Sequence, residues 1–253
     1  MNKYPYIKYL AFDLDDTLLN RRKEITPFTQ EVLAEAKSKG FKIVINTARS
    51  IQNSKSIIDT IHPDYGIYSG GCHIADGNGN DLYSKTISKD VVKEVTKVLN
   101  QKCEKISVQT KEHFYASDED YKGQNAIHFD FENGLEDEAY KILAFTYDLD
   151  MLKEIVSKYN LELQNYLNGG WNRLSVKGAT KFSGLERLAK LLNEDIKLFA
   201  CFGDDTGDIE MVTKAGLGVA MANSKEELLK VAPNITSSNE EDGCARFIKD
   251  NLL

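Results

Sequence analysis

Three aspartates directly follow an apolar stretch near the start of the chain. Residues 10–19 read LAFDLDDTLL, and the carboxylates are Asp13, Asp15 and Asp16. Because side chains alternate along a strand, Asp13 and Asp15 can face the same crevice. One of these carboxylates could then attack an electrophile while the other exchanges protons with the reacting groups.

The aspartates could instead belong to either of two non-catalytic structures, a turn or a calcium-binding loop. Asx-rich turns commonly follow strands. A calcium-binding EF-hand loop would take Asp13, Asp15, Thr17 and Glu24 as ligands, but it needs glycine where this chain has Leu18. The calcium loop is therefore disfavoured, and the choice between a turn and an active site depends on the other motifs.

A second polar group follows the apolar run at 42–46, where Thr47, Ala48 and Arg49 precede a predicted helix. Thr47 or Ser50 could simply cap that helix. Beside Asp13, however, a hydroxyl and a helix N-terminus would form an anion site.

A third group places Lys181 near the start of a predicted helix over 180–192, where a cation opposes the helix dipole unless it balances a bound anion. Lys177, before the turn, is the competing candidate.

In a fourth group, Asp204 and Asp208 follow the apolar run at 196–202. With Asp13 they would offer the oxygen ligands that Mg²⁺ prefers.

The elements that must position these groups alternate between short apolar runs and amphipathic helices. This rhythm predicts an α/β fold with a doubly wound, Rossmann-like parallel sheet. Its predicted strands cover 7–12, 42–46, 65–68, 196–202 and 217–220. Ligands bind at the carboxyl ends of strands in such sheets, so the four groups should converge there.

The rhythm changes after a predicted hairpin at 73–84, which turns at DGNGN. Helices over 91–99 and 152–159 and strands over 106–109, 141–147 and 161–167 then predict an inserted α+β domain. We expect the core domain to comprise residues 1–84 and 175–253, and the insert to comprise residues 85–174.

In this order, the motifs resemble those of Cof-type phosphatases of the haloacid dehalogenase-like (HAD) superfamily, subfamily IIB. They are DxDxT at 13–17, the strand that ends at Thr47, Lys181, and the acidic segment that starts at Asp204. Residues 216–223 and 239–243 share the resemblance, which therefore spans most of the chain. It implies that the insert is a cap that selects the leaving group.

The resemblance also implies a role for each site residue. Asp13 would be the nucleophile that forms an aspartyl-phosphate, and Asp15 would be the acid and base. Thr47 and Lys181 would complete the catalytic set. Substrate binding would involve Thr47, Ala48, Arg49, Lys181 and Asn223. The Mg²⁺ ligands would be Asp13, Asp15 through its backbone carbonyl, Asp204 and, through water or as a supporting residue, Asp208.

The resulting function is a Mg²⁺-dependent phosphatase acting on a sugar phosphate or similar phosphomonoester. A phosphosugar mutase, which returns the phosphoryl group to a sugar, is one alternative. A non-catalytic sensor of phosphorylated metabolites is the other.

Composition narrows the partners. A net charge of −7 and a pI near 5.3 give no basic field for nucleic acid. The first residues lack the apolar run of a signal peptide, and no segment predicts a membrane span. Four scattered cysteines predict free thiols rather than a disulfide framework or a zinc site. We therefore expect a cytoplasmic protein with a small-molecule substrate, a monomer by default with a dimer as the alternative.

Overall fold

The computed structural model describes residues 2–118, 126–165 and 170–253. The chain divides into two compact units, and the second is inserted into the first. The first unit contains Met1–Tyr83 and Thr180–Leu253, and the second contains Ser84–Ala179.

The helices and strands follow one another along the chain as follows. The first part contains β1 (Tyr9–Phe12), α1 (Pro27–Ser38), β2 (Lys42–Asn46), α2 (Lys55–Ile61), β3 (Tyr65–Tyr68), β4 (His73–Asp76) and β5 (Asp81–Ser84). The inserted unit contains α3 (Lys89–Lys102), β6 (Lys105–Thr110), β7 (Phe114–Ala116), β8 (Ile127–His128), β9 (Ala139–Phe145), α4 (Leu149–Lys158), β10 (Leu161–Asn165) and β11 (Trp171–Val176). The last part contains α5 (Lys181–Leu191), β12 (Phe199–Gly203), α6 (Ile209–Lys214), β13 (Leu217–Ala220), α7 (Glu226–Leu229) and α8 (Gly243–Asn251).

Among the described residues, the sheet of the first unit has the order β13-β12-β1-β2-β3-β4-β5. The first five strands are parallel, whereas β4 runs antiparallel to β3 and forms a hairpin with β5. Every residue of β1 and β13 is buried, as expected for strands covered on both faces. The predicted α/β class, with a doubly wound core and an inserted α+β unit, is confirmed.

Local signals explain where the helices of the core begin. Thr26 accepts a hydrogen bond from the Thr29 backbone nitrogen at 3.1 Å, and Pro27 occupies the first turn of α1. Thr180 and Ser183 cap α5 through reciprocal hydrogen bonds of 2.9 and 3.0 Å. These caps determine where the chain leaves the preceding loop and therefore where Lys181 stands.

Two predicted elements begin later than predicted because tighter turns occupy their first residues. The strand predicted at 196–202 begins at Phe199, since Asp195 caps a short turn over Ile196–Leu198. The helix predicted after Arg49 begins as an α-helix only at Lys55, after a turn over Gln52–Ser54.

The inserted unit has its own sheet, in the order β10-β11-β9-β6-β7-β8 for the described residues. The pairings are antiparallel except for β7 with β8, two short strands that the sequence did not predict. Helix α3 packs on β6 and β9. Of the strand predicted at 161–167, the structure has Leu161–Asn165, and residues 166 and 167 lie outside the described part.

No helix in the described ranges combines the length and apolar character that a bilayer crossing requires. No disulfide joins the described cysteines; Cys72, Cys201 and Cys244 are buried and Cys103 is half-buried.

Gly184 tests how closely α5 packs on the sheet. Alanine usually stabilises a helix interior relative to glycine, by up to about 1 kcal/mol. A Cβ at Gly184, however, would lie 2.6 Å from Ile67 Cγ2 and 2.9 Å from Gly71 Cα. We expect Gly184→Ala to lower the free energy of unfolding by about 1–3 kcal/mol, the usual cost of overpacking. Thermal unfolding should show this as a lower melting temperature.

Gly207→Ala is the matched control, because a Cβ at that position meets nothing within 4 Å. Its melting temperature should stay close to that of the unmodified protein. A Gly184→Ala protein at least as stable as the control would contradict the close packing.

Candidate active site

The carboxyl ends of three neighbouring strands form the edge where the site is built. Phe12 of β1 pairs with Ile45 of β2 and with Phe202 of β12. The Asp13 backbone nitrogen donates to the Phe202 carbonyl at 3.0 Å. Asp13 therefore directly follows β1, at the edge of the sheet where β2 and β12 also end.

The loop after β1 closes on itself. The Leu18 backbone nitrogen donates to the Asp13 carbonyl at 3.3 Å, and that of Leu19 donates to the Leu14 carbonyl at 2.9 Å. Asp16 takes a left-handed conformation, with φ 58°. This loop presents Asp13 and Asp15 within one tight turn.

Asn223 holds that loop from the other side. Its Nδ2 donates to the Asp16 carbonyl at 2.7 Å, and its Oδ1 accepts from the Asn239 backbone nitrogen at 3.0 Å. The structure thus gives Asn223 a supporting contact, while its role in substrate binding stays a prediction.

Lys181 joins two buried carboxylates. Its Nζ lies 2.8 Å from Asp13 Oδ1 and 2.7 Å from Asp208 Oδ1. Asp204 completes the group, because one carboxylate oxygen from each of the three aspartates lies within 4.8 Å of the others. The sequence predicted that these four residues converge, and the structure brings them together.

This acidic group shifts the pKa values of its members. Burial, reinforced by Asp208 and Asp204, raises the pKa of Asp13 to about 7 despite the nearby Lys181. Burial, with the negative charge of Asp208, raises the pKa of Asp204 to about 6. Burial opposes the charge of Lys181, but Asp13 and Asp208 outweigh it and raise its pKa, so the ammonium stays protonated.

Asp208 is held at both oxygens. While Oδ1 binds Lys181, Oδ2 accepts from the backbone nitrogens of Asp204 and Asp205, each at 3.1 Å. Asp205 caps the short turn that follows. Asp208 therefore orients Lys181 and the loop that carries Asp204.

Thr17 contributes a contact that the sequence analysis did not assign. Its Oγ1 donates to Asp204 Oδ1 at 2.6 Å, and both side chains are buried. The DxDxT spacing brought Thr17 to notice, but only the fold shows that its partner lies 187 residues further along the chain.

Asp15 is bound by two cations. Arg49 Nη2 lies 2.6 Å from Asp15 Oδ1 and Arg49 Nε lies 2.8 Å from Oδ2, a bidentate pair. Lys23 Nζ lies 3.0 Å from Oδ1. Burial opposes the charge of Asp15, but Arg49 and Lys23 hold its pKa below the ordinary value. Arg49 was predicted at the site from the sequence, whereas Lys23 was not.

Thr47 is buried where β2 ends. Its Oγ1 accepts from the Arg49 backbone nitrogen at 3.1 Å, and its own backbone nitrogen donates to the Ile67 carbonyl at 2.8 Å. These bonds shape the loop that carries the exposed Ala48 and the half-buried Arg49. Contact of Thr47 and Ala48 with substrate stays a prediction.

The residues present fit a divalent cation. When ionised, the carboxylates of Asp13, Asp204 and Asp208 would carry three negative charges against the one positive charge of Lys181 in a buried setting. Isolated buried charge is costly unless it is compensated. Clustered carboxylate oxygens are also the donors that Mg²⁺ takes in proteins.

Comparisons with known proteins give the family to which the chain belongs. A family model for haloacid dehalogenase-like hydrolases matches residues 10–248, so the chain belongs to that family. It is 27% identical to the 5-amino-6-(5-phospho-D-ribitylamino)uracil phosphatase YcsE of Bacillus subtilis, over 98% of this chain and 96% of that protein.

Two solved structures share the fold. A haloacid dehalogenase-like hydrolase from Bacteroides thetaiotaomicron superposes with a TM-score of 0.83 at 21% identity, over 96% of this chain and 99% of that one. A sugar phosphatase of HAD subclass IIB superposes with a TM-score of 0.79 at 24% identity, over 96% and 98%. The predicted family and class of enzyme, a phosphomonoester hydrolase, are confirmed.

The pKa of Asp13 predicts how stability varies with pH in the absence of metal. Because this pKa is about 7 in the folded chain against an ordinary 3.8, the folded chain binds more protons than the unfolded chain between these values. Stability should therefore fall as pH rises through this range. In EDTA at pH 8, we expect Asp13→Asn to be more stable than the unmodified protein by roughly 1–3 kcal/mol.

Chemical denaturation at pH 5 and at pH 8 measures this difference, which should shrink at pH 5. Asp59→Asn is the control, because Asp59 is an exposed carboxylate paired with Lys55 on α2. A gain in stability from Asp13→Asn that is equal at both pH values would show that Asp13 does not carry the shifted pKa.

Proposed function

We propose that this protein is a Mg²⁺-dependent phosphatase that hydrolyses small phosphorylated metabolites through an aspartyl-phosphate on Asp13. The observation that carries the proposal is the buried Asp13 carboxylate, bonded to Lys181 and grouped with Asp204 and Asp208. A nucleophile, a fixed cation and oxygen ligands for a metal ion thus share one sheet edge.

In the first step, an Asp13 oxygen attacks phosphorus and the bond from phosphorus to the ester oxygen breaks. Asp15 gives the leaving oxygen its proton, so the products are an alcohol and aspartyl-phosphate. In the second step, Asp15 takes a proton from water, and the resulting oxygen attacks phosphorus. Phosphate leaves and the Asp13 carboxylate is restored.

The state that the structure describes suits the second step better than the first. Arg49 and Lys23 favour the carboxylate form of Asp15, which is the base that water needs. To act as an acid, Asp15 must gain a proton and loosen these bonds. Entry of the phosphorylated substrate offers Arg49 another anion to bind.

The positive charge of Lys181 would reduce the electrostatic repulsion that opposes the first step, in which a carboxylate approaches a phosphate dianion. Two unit charges 4 Å apart interact by about 4 kcal/mol at an effective dielectric of 20. The Lys181 ammonium, held between Asp13 and Asp208, lies where it can also bind the transferring oxygens.

The residues proposed to hold Mg²⁺ are Asp13, Asp204 and the Asp15 carbonyl, with Asp208 in a supporting position. When bound, the ion would supply positive charge that balances the phosphoryl oxygens. Thr17 would keep Asp204 oriented for this task through its 2.6 Å hydrogen bond.

The names of the related proteins support a sugar-like phosphomonoester as substrate. One acts on a phosphorylated ribitylamino-uracil and another is a sugar phosphatase.

We assign the inserted unit, residues 84–179, the role of the cap that selects the leaving group. The acidic composition and the absence of a disulfide among the described cysteines support a cytoplasmic enzyme with no nucleic-acid or membrane partner. We take the monomer as its default form, with a dimer as the alternative.

Turnover of p-nitrophenyl phosphate and of a panel of sugar and ribityl phosphates tests the proposal. We expect phosphate release that EDTA removes and Mg²⁺ restores. Asp13→Asn should lower kcat by at least about a thousandfold, because an amide cannot form the intermediate. A labelled intermediate that hydroxylamine cleaves should form on the unmodified protein and not on the variant.

Asp16→Asn is the matched control in the same loop. Asn tolerates the left-handed conformation of Asp16, so this variant should keep most of the activity. Binding of phosphorylated compounds without turnover would favour a sensor. Conversion of a hexose monophosphate into its isomer without release of phosphate would favour a mutase.

A further inference from the structure

Asn46, the last residue of β2, is a buried amide that the mechanism above does not use. Its side chain has no exposed surface. Its Nδ2 donates to the Lys181 backbone carbonyl at 3.1 Å and lies 3.4 Å from Met211 Sδ. Asn46 therefore connects the end of β2 with the start of α5.

The other end of the amide is unsatisfied within the part of the chain that the structure describes. Asn46 Oδ1 is buried and has no hydrogen-bond donor there. An unsatisfied buried acceptor costs about 1–3 kcal/mol, whereas an apolar group of similar shape would avoid that cost. The surroundings are apolar too, since Val44 and Met211 belong to the hydrophobic cluster on this side of the sheet. Folding alone does not explain an amide here.

The partner of the amide explains it better. Lys181 is the first residue of α5, and its Nζ holds Asp13 and Asp208. Its backbone carbonyl is the atom that Asn46 binds. The amide thus ties the backbone of Lys181 to β2, the strand next to the one that delivers Asp13.

We propose that Asn46 is a positioning residue that holds Lys181 in place for binding the transferring phosphoryl group. The inference rests on the proposed phosphatase function. A shift of about 1 Å in a positioned group is enough to cost a hundredfold in rate. A donor fixed on the central sheet therefore contributes to activity through its bond to the Lys181 backbone.

The experiment separates activity from stability. Asn46→Leu removes the donor and the unsatisfied acceptor together while filling much of the same space. We expect its melting temperature to equal or exceed that of the unmodified protein, while kcat/KM falls about tenfold and the inhibition constant of inorganic phosphate rises. Asn46→Ala, which cannot overpack, should show the same loss of kcat/KM.

Val44→Ala is the matched control. Val44 is fully buried two residues earlier in β2, on the same face of the strand. Shortening it should lower the melting temperature and leave kcat/KM unchanged when the assay is run well below that temperature. Activity and stability would then change separately in the two positions.

Each outcome decides the proposal. An unmodified kcat/KM in both Asn46 variants would overturn it while leaving the phosphatase function standing. Loss of activity that only follows a lower melting temperature, as in a general packing defect, would overturn it as well. Absence of turnover in the unmodified protein would remove the phosphatase function and this inference together.

Discussion

The ion pairs from Lys181 to Asp13 and Asp208 are the interaction on which the rest of the site depends. Buried charges are costly unless they are paired, and one ammonium here compensates only part of the charge of three carboxylates. Within the described residues, this is the one place where three such carboxylates lie close enough to share a metal ion. That place is the sheet edge where open α/β sheets bind ligands, so the local cost has a function to explain it.

Hydrogen bonds from uncharged side chains hold the charged group in place. Thr17 orients Asp204, and Asn223 holds the loop that follows β1. Thr180 defines the start of α5, and Asn46 binds the same helix at its first residue. None of these four side chains carries charge, so they define geometry without adding to the electrostatic imbalance.

The sequence predicted most of the core because each of its signals is local. The ranges of β2, β3 and β13 agree with the prediction, since apolar runs bounded by turns and caps define them. The convergence of Asp13 and Asp204 followed from parallel strands that end at one edge, whereas Lys181 stands at the start of a helix. The contact of Asn46 with Lys181 was not predictable, because it joins residues 135 positions apart in the chain. The contact of Lys23 with Asp15 lies within one loop and depends on the path of that loop, which no periodicity defines.

The bidentate pair of Arg49 with Asp15 has a consequence for affinity. If Arg49 binds substrate, an arriving phosphate does not meet a vacant guanidinium but exchanges one anion for another. Such an exchange yields little net free energy in the complex with substrate, because an equivalent bond is lost. The released Asp15 is then free to act on the leaving group. Weak initial binding and an Asp15 that can take up the proton it must donate would thus arise from the same exchange, which favours turnover over tight association.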